Sequence, residues 1–216
     1  MKQNTILIAV VALLIGGIGG YLIAGSDNGH HETAQMVSDN NGDERGQGNT
    51  MGEHMMADGT MMGNMAGMDH SMMMVGSERE FVVGMIPHHQ EAVDTANEVL
   101  ARGGSNEQVV TLANEIIAAQ ETEIAMLKQW HQDWYGESYQ ADGSYQPMMR
   151  DLSDLSGADL DRRFLEDMIP HHMGAIMMAQ SVRPHIKHQE ITDMADAIMT
   201  TQTAEIELMR DLLRGL

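Results

Sequence analysis

A chain of 216 residues with 43% hydrophobic side chains holds enough apolar material for one core of ordinary domain size. Its 32 Asp and Glu against 12 Lys and Arg leave a formal charge of -20, which repels phosphate backbones and excludes nucleic acid as a partner. Cysteine is absent, which excludes disulfides and thiolate metal sites, whereas methionine reaches 23 residues, so any soft ligand must be a thioether.

Residues 5–24 read TILIAVVALLIGGIGGYLIA, an uncharged run about as long as a membrane-crossing helix. Lys2 and the amino terminus are the only positive charges before it, and the next basic residue is Arg45. Positive-inside counting therefore places the remainder outside the cytoplasm, on the periplasmic or cell-surface side. Two readings of residues 1–25 stay open, an uncleaved membrane anchor and a signal segment cut near Ala24 and Gly25. Both export the domain.

Residues 26–76 contain no Phe, Trp, Tyr, Leu or Ile and show no sustained period, which predicts a disordered tether. Within it the run MGEHMMADGTMMGNMAGMDHSMMM carries Met51, Met55, Met56, Met61, Met62, Met65, Met68, Met72, Met73 and Met74, with His54 and His70 between them. Thioether sulfur is a neutral, soft donor, so clustered Met with occasional His favours copper(I) or silver(I) over zinc or iron. Flexible filler is the plain alternative, but neutral fillers are usually Gly, Ser or Gln.

From residue 77 the sequence becomes helical and repeats itself. FVVGMIPHHQEAV at 81–93 matches FLEDMIPHHMGAI at 164–176, and ANEIIAAQETEIAML from Ala113 matches ADAIMTTQTAEIELM from Ala195. With breaks at Arg102-Gly103-Gly104, between Gly136 and Pro147, and near Pro184, this predicts a duplicated helical hairpin. An antiparallel four-helix bundle over residues 77–216 follows as the natural packing.

Candidate chemistry lies on the predicted core faces. Met85 and His89, like Met168 and His172, stand four residues apart and share a helix face, and His88 and His171 fall on the adjoining apolar row. Pro87 and Pro170 precede both His pairs and remove a helical hydrogen bond. Glu123 and Glu205 interrupt apolar stripes three residues after Gln120 and Gln202, so each carboxylate needs a partner, either a facing histidine or a metal ion. Met173, Met177 and Met178 add a second thioether cluster beside His171 and His172, with plain core filling as the alternative. His185, His188 and Met194 open the last helix, where a surface chelate and a helix-start decoration are both open.

The signature F-x-x-x-M-I-P-H-H-x-x-A followed by Q-x-x-E-I resembles the domain-of-unknown-function 305 family, and both halves of residues 77–214 carry it. The resemblance implies a ferritin-like four-helix bundle. Combined with the Met-rich tether, the chain is similar to CopM-type periplasmic copper-binding proteins, which implies copper resistance or trafficking, with a copper-trafficking protein as partner. Carried over by position, it singles out Met85, His88, His89, Gln120, Glu123 and Met126, and then Met168, His171, His172, Gln202, Glu205 and Met209. The expected ions are copper(I), silver(I) and copper(II). Asp161 occupies the place of Glu78 in the second half, a departure that predicts unequal affinities.

Three function classes compete. A di-iron oxidase on such a bundle needs two Glu-x-x-His motifs, and this chain has none. A scaffold bundle at the membrane leaves the Met-dense run without a purpose. A binding protein that is not an enzyme accounts for both features.

Overall fold

The computed structural model describes residues 73–216. Helix α1 spans Glu78–Arg102, α2 Glu107–Tyr135, α3 Gly157–Val182 and α4 Gln189–Gly215, with a single 3-10 turn at Arg183–His185. No strand occurs among these residues, and none of their helices is long and apolar enough to cross a membrane. The predicted membrane segment at 5–24 and the tether candidates Met51, His54, Met55, Met56, Met61, Met62, Met65, Met68, His70 and Met72 lie outside the described residues.

Local chemistry sets the helix ends. The Ser77 and Asn106 side chains accept the N–H of Glu80 and of Gln108, satisfying first-turn donors of α1 and α2. Gly103 and Gly136 close the same two helices at φ 76° and 75°, a left-handed turn that residues with a Cβ resist. Both α1 and α3 run on as helix through Pro87 and Pro170. Neither proline offers an N–H, so the carbonyls of Val83 and Glu166 lack the usual partner four residues on.

Helices α1 and α2 form one hairpin, α3 and α4 the other, and α1 packs against α3. Reciprocal carboxylate caps join the hairpins. Near the start of α1, buried Glu78 accepts the N–H groups of Lys187 and His188, which lead into α4, and its other oxygen lies 2.6 Å from His188 Nδ1. Near the start of α3, Asp161 Oδ2 accepts from Ser105 N, Ser105 Oγ and Asn106 N, which lead into α2. Each hairpin's first helix thus caps the second helix of the other, which makes α1 and α3 antiparallel. The Glu78 and Asp161 positions are therefore assembly contacts between the hairpins, each accepting backbone N–H groups.

Two expected outcomes follow. Asp161→Ala removes three hydrogen bonds and strands two backbone N–H groups, a loss of roughly 2–4 kcal/mol in thermal denaturation, with Asp161→Asn losing less. For Glu78, burial is the largest influence and pushes its pKa up, but the bonds from Lys187 and His188 outweigh it and leave the pKa below 4.5. A carboxylate depressed in the folded state contributes stability above its unfolded pKa, which is lost as pH falls through the folded value. Melting curves between neutral pH and pH 3 should show a shallower acid decline in Glu78→Gln than in the parent chain.

The core divides along the bundle axis. Phe81, Val82, Met85, Ile124, Leu127, Met178 and Met194 pack in one half. Leu112, Ile116, Phe164, Leu165, Met168 and Met209 pack in the other. Between these halves, near the middle of each helix, lie the buried polar residues His88, His89, Gln120, His171, His172, Gln202 and Glu205.

Candidate metal centre

The polar layer is built by the duplicated motif. Because α1 and α3 are antiparallel and carry their His pairs at mid-length, His88 meets His171 across the helix interface, ring centroids 3.9 Å apart and planes tilted by 35°. The second histidine of each pair turns to its own hairpin. His172 Nε2 lies 2.7 Å from Glu205 Oε2 in a buried hydrogen bond. His89 Nε2 lies 2.8 Å from Glu123 Oε2, close but not aligned as a hydrogen bond.

Burial leaves most of these nitrogens without partners. Both nitrogens of His88, His89 and His171, Nδ1 of His172 and the amide oxygens of Gln120 and Gln202 accept or donate no hydrogen bond. Native interiors rarely tolerate such groups, each of which costs about 1–3 kcal/mol. Burial first, then the neighbouring rings of His171, His89 and His172, hold the His88 pKa well below the ordinary 6.5. Burial also lowers His171, although nearby Glu91 opposes it. Both rings are therefore neutral at pH 7, and each keeps an uncommitted lone pair.

The duplicated halves are not identical at this layer. Glu91 Oε2 approaches His171 Nε2 at 3.4 Å and accepts from the Tyr145 hydroxyl at 2.5 Å, while its other oxygen accepts the Met148 and Met149 N–H groups. Burial would raise the Glu91 pKa, but His171, Tyr145 and the Met149 N–H overcome that and hold it at about 2. The repeat places Gly174 opposite Glu91 in the alignment of the two motifs. The α2–α3 connection thus lays Tyr145 over the layer, with its ring 6.3 Å from that of His88.

The structure gathers His88, His89, His171, His172, Glu123 and Glu205 as the spacing predicts. Met73, buried whereas its neighbour Met74 is exposed, joins them on the His88 side. Met85, Met168 and Met209 are fully enclosed in the apolar halves, and Met126 packs at the edge of the Met85 half. The predicted cluster of Met173, Met177 and Met178 is divided: Met177 and Met178 pack with the Met85 half, Met173 with the Met168 half. Four residues of helix advance about 6 Å, enough for α3 to pass from one half of the core to the other. His188 stacks on Trp134 at 3.8 Å and pairs with Glu78, and Met194 is core, so the helix-start histidine is structural. Among the described residues no three His, Asp or Glu side chains converge as a cation cage, while Met73 Sδ and His88 Nε2 both border Gly174.

Glu91, Tyr145 and Gly174 escaped the sequence reading. The signal that could have found them is a mismatch within the repeat, Glu91 in one copy against Gly174 in the other.

A family model described as "Domain of unknown function (DUF305)" matches residues 78–213. The chain belongs to the DUF305 family. No curated protein matches it. Among solved structures, CopM in its Cu(II)-bound form is 34% identical with a TM-score of 0.60, covering 66% of this chain and 99% of that one. CopM in its Cu(I)-bound form gives 33% identity and 0.59, over 65% and 98%. A DUF305 fragment from Deinococcus radiodurans gives 28% and 0.56, over 66% and 99%. The family model covers the bundle, the region in which the His layer lies.

Proposed function

We propose that this DUF305 protein binds soft monovalent copper(I) or silver(I) outside the cytoplasm, for sequestration or trafficking, and acts as a binding protein and not as an enzyme. The observation that carries this reading is the layer of four buried imidazoles, most of whose nitrogens have no hydrogen-bond partner. A bundle under selection for packing alone gains by replacing such groups with aliphatic side chains, whereas a ligand offsets their burial cost when it binds. Neutral nitrogen and thioether donors favour a soft ion. CopM structures carrying Cu(I), Cu(II) and silver support the same reading, and extend it to copper(II).

The Met-rich run at 51–74 raises the local number of weak thioether donors, and the apolar run at 5–24 brings the protein to the membrane. A copper-trafficking protein is the partner this arrangement implies. Anaerobic titration of the full chain with copper(I), in competition with a chromogenic chelator, tests the proposal. Withdrawal of copper from the chelator, with no matching uptake of zinc, is the expected result. Absence of competition would remove the soft-metal reading.

A further inference from the structure

We propose that Met73 and His88 form a two-donor thioether–imidazole site for one soft monovalent cation in the notch left by Gly174. This inference rests on the soft-metal reading above and assigns it a pair of donors.

The notch is an absence of side chain on α3. A Cβ placed on Gly174 would stand 2.8 Å from Met73 Sδ and 3.0 Å from His88 Nε2, so both donors point at one small volume. His88 is buried and neither of its nitrogens has a partner. Met73 is 7% exposed, whereas Met74 beside it is 60% exposed, so the chain turns this one thioether inward. Just beyond, Val75 N donates to Ser181 Oγ at 3.0 Å, and that hydroxyl donates to the Met178 carbonyl. These bonds hold the incoming segment along α3 and fix the sulfur over the notch.

The duplicated half shows what the notch is for. There Glu91 stands where Gly174 stands, and its own carboxylate faces His171 Nε2. The first copy thus presents a carboxylate, tied down by Tyr145 and two backbone N–H groups, to the imidazole of the second. The other copy has lost that side chain, and a sulfur from outside the repeat fills its place. A neutral nitrogen and a neutral thioether, shielded from water, suit copper(I) or silver(I), and they offer a hard cation none of the oxygen donors it prefers.

The test uses the full chain, labelled at methionine methyls and imidazole nitrogens, titrated to saturation with silver nitrate and followed by NMR. The Met73 methyl and His88 Nε2 signals should shift together. Gly174→Ala should abolish both shifts, or weaken the affinity they report on the order of tenfold or more. Its methyl fills the notch, yet alanine favours a helix over glycine and the flexible end of Met73 can move aside, so the bundle stays folded. Met73→Leu keeps the packing without the sulfur and should show the same loss at His88. If the His89, His171 or His172 rings shift while Met73 and His88 stay silent at saturation, the two-donor site is wrong and the soft-metal reading stands. If no ring shifts, both fail. Wild-type affinity at His88 in the two variants would also overturn the site.

Discussion

His172→Ala is expected to destabilise the bundle by about 3–5 kcal/mol and to lower its melting temperature by roughly 10 °C. The His172 ring is wholly buried, and its Nε2 bonds at 2.7 Å to Glu205, a carboxylate whose side chain is only 4% exposed. Removing the imidazole leaves that carboxylate buried without its partner, and the desolvation cost of the pair then falls on one group. His89→Ala should cost less, because Glu123 is more exposed and its approach to His89 is poorly aligned. A double-mutant cycle on His172 and Glu205, followed by circular dichroism melts, isolates the coupling. If His172→Ala melts with the parent protein, the pair is not a structural tie.

Replacing His88 and His171 together by leucine should move stability and metal binding in opposite directions. Neither ring makes a hydrogen bond, and both are buried at the α1–α3 contact, so leucine, similar in size, removes unsatisfied polar atoms and leaves the melting temperature unchanged or higher. The same change takes away the two rings whose centroids lie 3.9 Å apart and whose nitrogens have no hydrogen-bond partner. Copper(I) affinity of the bundle, measured by anaerobic chelator competition, should fall on the order of a hundredfold, about 2.7 kcal/mol. A scaffold role predicts instead lost stability with unchanged metal uptake. The four histidines of this layer differ in their partners: His172 bonds to Glu205, His89 and His171 face Glu123 and Glu91 without an aligned hydrogen bond, and His88 faces His171.

Much of this was legible in the chain. The offset repeats, the 3,4 spacing of apolar residues and the break residues at Gly103, Gly136 and Pro184 determine four helices in two hairpins, because helical periodicity is a local property. The same spacing assigns His88, His89, His171 and His172 to core faces, and it sets a carboxylate at Glu123 and Glu205 in need of a partner. Periodicity tells which face a residue occupies but not which helix that face meets or at what height along the axis. The crossed caps from Glu78 and Asp161, together with core packing, decided that α1 and α3 run antiparallel with their motifs level. Packing within the second hairpin gave His172 to Glu205, and the α1–α3 register placed His88 on His171. It also divided Met173 from Met177 and brought Met73, from outside the repeat, onto Gly174, a position that carries no side chain and so leaves no trace in a hydrophobic pattern.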